Sequence, residues 1–301
     1  MTEPMKVGIQ LPEVERVVAW REMREIATTA ENTGFDSIWV GDHLLFRDPS
    51  TGVRGPLEAW STLAALGEAT ERVLIGPLVA ATSFHSPAMI AKKAATVDDI
   101  SGGRLILGLG AGWNRAEYDA FGFPFDSRVS RFEEAFEVIR TLIREGSIDF
   151  EGRFYTHREV EILPRARTDM PLLIGSNGDR MLRIAAPHVD LWNSWYTGFD
   201  NRPEGLAPLN ERVDAACREA GRDPGEIART AAVLVQLSRG KGRIAGSGER
   251  PEVEPIRGST QEMAEALARF GEKGISHLQI VLDPIDAPAV AELAEVVNLL
   301  R

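Results

Sequence analysis

The feature that most constrains the fold of this 301-residue chain is a regular alternation of short apolar segments with amphipathic ones. The apolar segments show little polar alternation, which is typical of strands buried on both faces of a parallel sheet. The first four strands begin roughly every 30 residues, the size of a βαβ unit. We predict eight strands, at residues 6–11, 37–46, 72–81, 104–112, 171–176, 189–196, 230–238 and 277–283.

Helical patterns occupy most of the chain between these strands. Apolar residues recur there at three- and four-residue steps, which predicts helices that each bury one face. We predict helices at residues 17–32, 56–70, 86–101, 114–121, 131–145, 178–186, 208–220, 260–270 and 287–300, and a hairpin at residues 147–162. Eight strands alternating with helices is the count of an α/β fold, the (β/α)8 TIM barrel, so we predict a single barrel domain over residues 1–301.

An open, doubly wound dinucleotide-binding sheet is the competing architecture. Its glycine fingerprint, G-x-G-x-x-G, is expected directly after an early strand. In this chain the glycine-rich strand end lies in the middle of the sequence, and Trp113 directly after Gly112 leaves only G-x-G-x-G. The barrel is therefore favoured.

Composition and charge narrow the class of partner. The formal net charge is -11, so nucleic acid or an anionic membrane would have to bind against the overall field. Cys217 is the only cysteine, which excludes an internal disulfide and a cysteine-based zinc cluster, and we predict it to be a buried core residue. No apolar run approaches about 20 residues, and the N-terminal residues lack a signal-peptide pattern. We expect a cytoplasmic protein that acts on a small molecule, with no metal and no membrane partner.

Residues 104–112, RLILGLGAG, form the most distinctive strand. Gly108, Gly110 and Gly112 stand at every second position where this strand ends. Glycine allows a sharp bend there and lets a flat or phosphorylated ligand approach the backbone closely. Alternatively, these glycines only relieve crowding at a bulged strand end. The sequence leaves both interpretations open.

The active site of a barrel of this class lies at the C-terminal ends of its strands. These ends offer glycines, amides, aromatic residues and one histidine, without a paired carboxylate, a metal-ligand cluster or a nucleophile elbow. Such walls suit a large flat ligand. His43, directly after Asp42, is a candidate proton donor, although a lone histidine is more often structural. His85 is a weaker candidate, and His188 and His277 are predicted to be structural.

A second place suited to an anion is the glycine-bearing loop in IGSNGDRMLRIA, which leads into a helix. Free N–H groups and the positive end of the helix dipole attract phosphate there. Asp179 weakens this interpretation, because its carboxylate can cap the same helix.

Several motifs, in order, resemble one family: DHL at 42–44, SPAMIAK at 86–92, SGGR at 101–104 and GLGAGW at 108–113. With GFDSIWVGDHLLF and GRDPGEI, they resemble the luciferase-like monooxygenase superfamily of flavin- and deazaflavin-dependent barrels. Within it they are most similar to the coenzyme F420-dependent oxidoreductase branch. The resemblance covers most of the chain and is strongest over residues 5–125.

The resemblance implies that coenzyme F420, or alternatively FMN, binds in the barrel mouth against a bulge with a non-prolyl cis peptide at Leu78–Val79. Asp42 and His43 would face the ring as the catalytic pair. The sugar-phosphate dehydrogenase members carry a glutamate acid at the position of Trp113, which argues against their activity here. The implied cofactor-binding residues are Leu78, Val79, Ala80, Gly110, Ala111, Gly112, Gly175, Ser176, Asn177 and Gly178.

Three functions follow as hypotheses. The first is an F420-dependent oxidoreductase, the second an FMN-dependent monooxygenase supplied by a separate flavin reductase, and the third a non-catalytic flavin or deazaflavin carrier. Phe46, Trp113 and Trp195 are predicted to wall the substrate pocket, or alternatively to pack as ordinary core residues. Family members suggest a homodimer.

Two loops, residues 45–56 and 239–258, are predicted lids. The second loop carries a basic cluster that could meet the anionic tail of F420, although a solvated loop is the favoured interpretation. The cluster consists of Arg239, Lys241 and Arg243.

Overall fold

The computed structural model describes residues 4–48, 52–243 and 253–301. The parts of the two predicted lids at 49–51 and 244–252 lie outside these residues. The strands are β1 Lys6–Gln10, β2 Ser37–Val40, β3 Phe46–Asp48, β4 Gly52–Arg54, β5 Leu74–Pro77, β6 Ala80–Ala81, β7 Leu107–Gly110, β8 Ser147–Glu151, β9 Thr156–Glu161, β10 Leu172–Gly175, β11 Leu191–Trp195, β12 Ala228–Gln236 and β13 Ile275–Asp283.

Helices follow the barrel strands in the predicted order. Short 3-10 turns lie at Thr82–Phe84, Tyr196–Gly198, Pro203–Leu206 and Pro224–Glu226. The α-helices are α1 Trp20–Asn32, α2 Ala59–Ala69, α3 Pro87–Ile100, α4 Arg115–Phe121, α5 Arg128–Arg144, α6 Asp179–Ala185, α7 Ala207–Glu219, α8 Thr260–Glu272 and α9 Ala287–Leu299.

The parallel strands form one sheet in the order β5-β2-β1-β13-β12-β11-β10-β7-β6. β5 and β6 are the two halves of the predicted third strand, so the two ends of this order belong to one strand. A parallel bridge between Ile75 and Leu105 completes the circle. The fold is therefore the predicted (β/α)8 barrel, with the third strand interrupted at Leu78 and Val79, whose peptide bond is cis as the resemblance implies.

The segment predicted as the second strand is shorter than expected. The strand ends at Val40, and Phe46 begins a small antiparallel hairpin of β3 with β4. The backbone N–H groups of Leu44 and Leu45 donate to the Glu117 carboxylate at 2.6 and 3.3 Å instead of to a neighbouring strand. A side chain from another element thus replaces the sheet ladder at this strand end.

The helix predicted from residue 56 begins later, at Ala59. The Glu58 side chain accepts hydrogen bonds from the N–H groups of Trp60 and Ser61, at 3.0 and 2.7 Å. A side chain that satisfies these free donors fixes the helix start. Pro56 therefore lies in the approach to the helix and not in its first turn.

Histidine, serine and tryptophan form a buried network in the interior of the barrel. His277 Nε2 lies 2.7 Å from Ser37 Oγ, which also accepts a hydrogen bond from Trp39 Nε1. Burial lowers the pKa of His277 to about 3, so the ring is neutral. The prediction of a structural His277 is confirmed. Cys217 is also buried, as predicted. Among the described residues, no helix is long and apolar enough to cross a membrane.

Candidate active site

A cavity of about 740 Å³ opens at the C-terminal ends of the barrel strands. Its wall includes Asp42 and His43, the predicted catalytic pair, and Phe46, Trp113 and Trp195, the predicted substrate-pocket residues. Ala80 is the exception among the predicted cofactor-binding residues, because it is fully buried outside this wall and pairs with Leu109 in the sheet. The others line the cavity: Leu78, Val79, Gly110, Ala111, Gly112, Gly175, Ser176, Asn177 and Gly178.

The Val79 side chain explains why two neighbouring strands end in glycine. A Cβ atom on Gly110 would lie 2.6 Å from Val79 Cγ2, and one on Gly175 would lie 2.8 Å from Val79 Cγ1. Since such contacts are shorter than side-chain packing allows, any larger residue would displace Val79. The alternative interpretation, that these glycines relieve crowding, therefore accounts for Gly110. Its position on the cavity wall also leaves its backbone open to a ligand.

Asp42 is a buried carboxyl group on the cavity wall. Its Oδ2 accepts a hydrogen bond from the Ala81 N–H at 2.8 Å, whereas Oδ1 is buried without a partner among the described residues. Burial raises the pKa of Asp42 to about 7, against the opposing effects of the Ala81 hydrogen bond and the charge of His43. An unpaired buried oxygen in a cavity wall indicates a place for a ligand's polar atom.

This raised pKa predicts a specific dependence of stability on pH. The folded protein keeps the Asp42 proton up to about pH 7, so this group stabilises the fold in acid and loses that effect as pH rises from 3.8 to about 7. Replacing Asp42 with Asn removes the titration. Urea unfolding of both proteins should show the variant gaining about 2–3 kcal/mol relative to wild type between about pH 5 and pH 8. Parallel pH profiles would contradict the raised pKa.

His43 is held by a carboxylate that the sequence did not indicate. Its Nδ1 lies 3.1 Å from both carboxylate oxygens of Glu117, whose side chain is 1% exposed. Burial alone would lower the pKa of His43, but the hydrogen bond to Glu117 and the charges of Glu13, Glu117 and Asp42 raise it above its ordinary value. The ring therefore presents Nε2 as the nitrogen available to a ligand.

Aromatic rings surround His43. The ring centroids of His43 and Phe46 lie 4.7 Å apart, and those of His43 and Trp113 lie 5.7 Å apart in an edge-on arrangement. Trp113 is 58% exposed, which is unusual for tryptophan and places it at the rim of the cavity. The alternative interpretation of this residue as a core residue is therefore wrong, whereas Phe46 is buried and Trp195 half-buried in the wall.

Arg243 departs from the predicted interpretation of a solvated basic cluster. It is buried in the cavity wall, where Nη2 lies 2.8 Å from Glu13 Oε1 and Nε lies 2.6 Å from Glu15 Oε1. Its guanidinium also lies 5.3 Å from the Trp195 ring centroid. Burial opposes the charge of Arg243, but the two glutamates raise its pKa. We call Arg243, Glu13 and Glu15 the mouth ion cluster.

The other two residues of the predicted basic cluster have separate surroundings. Arg239 pairs with Asp286 at 3.1 Å on the surface, and Lys241 is exposed. The three cations therefore do not form one binding patch. His85, the weaker catalytic candidate, lies outside the cavity wall at 3.0 Å from Lys93 Nζ, and burial lowers its pKa to about 4.

Arg128 is a cation of the cavity wall whose charge is not paired with a carboxylate among the described residues. Its Nη1 donates to the Gly112 carbonyl at 2.9 Å, and its guanidinium lies 4.1 Å from the Phe125 ring centroid. Within the described residues, no carboxylate lies within ion-pair distance of it, whereas both glutamates of the mouth ion cluster neutralise Arg243. Arg128 is therefore the positive charge in the cavity wall that is available to pair with an anionic group of a ligand.

The loop that follows β10 completes this end of the cavity. Asp179 does not cap its own helix: its Oδ1 lies 2.6 Å from Arg212 Nη2, and Gly178 occupies the cap position. Asn177 donates to Ser194 Oγ at 3.0 Å, but its Oδ1 is buried without a partner among the described residues. The cavity wall thus contains two unpaired side-chain oxygens, Oδ1 of Asp42 and Oδ1 of Asn177.

The barrel and its mouth cavity define a class of α/β-barrel proteins that bind their ligand at the C-terminal ends of the strands. Within that class, this chain belongs to the luciferase-like monooxygenase family, whose model matches residues 5–273. The predicted family is thereby confirmed, and the chain is an enzyme of this oxidoreductase and monooxygenase family.

Two curated relatives differ in the activity that they carry. The chain is 28% identical over 276 residues to 5,10-methylenetetrahydromethanopterin reductase of Archaeoglobus fulgidus, covering 87% of this chain and 76% of the relative. It is 34% identical over 174 residues to pyrimidine monooxygenase RutA of Cronobacter sakazakii, covering 56% of this chain and 51% of the relative. The chain therefore spans about half the length of that monooxygenase.

Solved structures show the same fold with two cofactors. An F420-dependent secondary alcohol dehydrogenase in complex with an F420–acetone adduct superposes with a TM-score of 0.82 at 20% identity, over 99% of both chains. Riboflavin lyase with modified FMN and riboflavin superposes with a TM-score of 0.81 at 14% identity, over 99% of this chain and 92% of the other. At these identities the superpositions establish the shared fold.

Proposed function

We propose that this protein is an F420-dependent oxidoreductase that transfers a hydride between the deazaflavin C5 and a small organic substrate. The observation that carries the proposal is His43, paired with buried Glu117 and facing a partly apolar cavity of about 740 Å³. Side chains cannot carry a hydride, so a barrel with this wall needs a redox cofactor. The F420-dependent dehydrogenase that shares the fold supports F420 as that cofactor.

The residues present fit a flat ring with a phosphate-bearing arm. Leu78 and Val79 provide an apolar surface against a ring, while the unpaired Asp42 Oδ1 can meet a polar ring atom. Arg128 and the backbone of residues 175–178 would hold the phosphate, because Arg128 is a wall cation without a carboxylate partner among the described residues. When bound, F420 supplies or accepts a hydride at C5.

The protein contributes a proton-exchanging side chain and an apolar cavity wall. Hydride transfer to or from a carbonyl-type carbon is accompanied by a proton at the neighbouring oxygen, and His43 Nε2 is the group that can hold or deliver it. Glu117 occupies Nδ1, so Nε2 faces the ligand. Phe46 and Trp113 contact the His43 ring, and together with Trp195 they give the cavity an apolar wall that suits an apolar or planar substrate face.

An FMN-dependent monooxygenase is the second candidate, favoured by the pyrimidine monooxygenase relative and by the FMN-containing barrel. In that case a separate flavin reductase would supply reduced flavin as a partner. The apolar surface and Arg128 fit features that both cofactors share, so the preference for F420 over FMN rests on the F420-dependent dehydrogenase that shares the fold.

Parallel turnover assays test the two candidates. Purified protein is incubated anaerobically with F420 and a panel of alcohols, aldehydes and enones, and cofactor absorbance is followed. A separate assay supplies reduced FMN and measures substrate-dependent oxygen uptake. We expect cofactor reduction or oxidation with F420 and no coupled oxygen uptake with FMN. Coupled oxygen uptake alone would overturn the proposal in favour of the monooxygenase, and binding without turnover in either assay would favour a carrier.

A further inference from the structure

We propose that Glu117 is a positioning residue that fixes the orientation and tautomer of His43, so that Nε2 exchanges the proton with the substrate. The inference rests on the proposed function of His43. Glu117 affects the reaction only through His43. It was not among the site residues predicted from the sequence.

Several hydrogen bonds together fix the position of the Glu117 carboxylate. Both oxygens lie 3.1 Å from His43 Nδ1, and Oε1 also accepts hydrogen bonds from the N–H groups of Leu44 and Leu45 at 2.6 and 3.3 Å. The carboxylate is therefore bound at the same time to the imidazole and to the backbone that follows it. Rotation of the His43 ring or movement of this loop would break several of these hydrogen bonds together.

The hydrogen bond also decides the tautomer. An ionised carboxylate only accepts, so the neutral imidazole keeps its proton on Nδ1 and leaves the Nε2 lone pair facing the cavity. When Nε2 is protonated as well, it becomes the donor. Glu117 is 1% exposed, so its interaction with His43 is little screened by water.

Three acidic groups from different elements face His43. They are Glu117 on α4, Asp42 directly before the histidine, and Glu13 in the segment after β1. Arg243 neutralises Glu13 at 2.8 Å, and Asp42 keeps its proton up to about pH 7. Of the three, Glu117 is the group that is hydrogen-bonded to the imidazole, and this bond is the largest of the effects that raise the pKa of His43.

The position of Glu117 separates this role from that of a catalytic acid. The family resemblance implies that the sugar-phosphate dehydrogenase members carry their acid where this chain has Trp113. Here the acidic residue stands four positions later and binds the side of His43 away from Nε2. Glu117 thus acts on the substrate through the histidine.

NMR of the ¹⁵N-labelled protein tests the inference directly. We expect neutral His43 in the wild type to carry its proton on Nδ1. In Glu117→Gln, the pKa of His43 should fall because the hydrogen-bonded carboxylate is lost, and kcat should fall about 10–100-fold with little change in KM. Glu117→Asp keeps the charge on a shorter side chain, so it should restore the pKa of His43 toward wild type and recover part of kcat.

Glu31→Gln is the matched control. Glu31 is a buried carboxylate that accepts backbone hydrogen bonds from Glu71, Arg72 and Val73 at 2.9, 2.6 and 3.1 Å, outside the cavity wall. Its loss should lower stability as Glu117→Gln does, without changing the pKa of His43 or kcat. A structural role for Glu117 predicts the same result for both variants.

An Nε2–H tautomer in the wild type would overturn the inference, and this readout needs no variant to fold. Unchanged His43 pKa and kcat in Glu117→Gln would also overturn it. Failure of the proposed function has a different signature: the wild type would turn over no substrate with F420, while the NMR result would still decide whether Glu117 holds the histidine.

Discussion

Replacing His43 with Ala should cut turnover by about 10²–10⁴-fold, while F420 affinity stays within about threefold of wild type. The imidazole Nε2 is the group to which we assign proton exchange with the substrate, and Ala cannot exchange a proton. Cofactor contacts are expected to survive, because Leu78, Val79 and Arg128 line the cavity independently of the histidine. Steady-state kinetics and a fluorescence titration on the same preparation measure both quantities.

His85→Ala is the control for this prediction. His85 stands near the same end of the barrel but contacts Lys93 at 3.0 Å and lies outside the cavity wall. We expect wild-type kcat and affinity from it. Turnover that is unchanged in His43→Ala would remove His43 from the mechanism, whereas equal losses in both histidine variants would indicate a general structural effect.

Replacing Arg243 with Met should lower the free energy of unfolding by about 3–5 kcal/mol at neutral pH, because Glu13 and Glu15 would lose their shared cation inside the protein. Burial raises the pKa of Glu15, but the charge of Arg243 together with the hydrogen bonds from Arg243 and the backbone outweighs this effect and lowers the pKa. The wild-type advantage is therefore complete above the ordinary pKa of glutamate and shrinks as the pH falls through the lowered value.

Urea unfolding at several pH values measures this prediction. Arg239→Gln is its control, because Arg239 lies in the same segment and pairs with Asp286 at 3.1 Å on the exposed surface. We expect the control to leave the free energy of unfolding nearly unchanged. A loss in Arg243→Met as small as in the control would show that the mouth ion cluster does not stabilise the fold.

The sequence predicted the barrel because its evidence is local. Each apolar strand and amphipathic helix can be recognised from a pattern of about ten residues. Eight such strand and helix units then predict a closed barrel. The positions of His43 and Gly110 in the mouth follow from the same count, since both stand at predicted strand ends. The strand-end at Val40 was missed, because Glu117, far along the chain, takes the hydrogen bonds of Leu44 and Leu45.

The partners of the site residues were beyond reach for the same physical reason. His43 meets Glu117 across 74 positions, and Arg243 meets Glu13 across 230. Neither contact leaves a spacing or a motif in a single sequence. Glu117 could have been proposed as a site residue from its position on the short helix after the glycine-rich strand, because a carboxylate there reaches the barrel mouth. Charge alone suggested a solvated loop for Arg243, although the structure buries it.

A fluorescence titration of the purified apoprotein with F420 and, separately, with FMN tests the deazaflavin assignment most directly. We predict micromolar or tighter F420 binding, weaker FMN binding, and a loss of F420 affinity in Arg128→Gln, because the substitution removes the wall cation that has no carboxylate partner among the described residues. Tight FMN binding with weak F420 binding would contradict the deazaflavin assignment. If the protein bound neither cofactor, the proposed function would be wrong, although the barrel fold would stand.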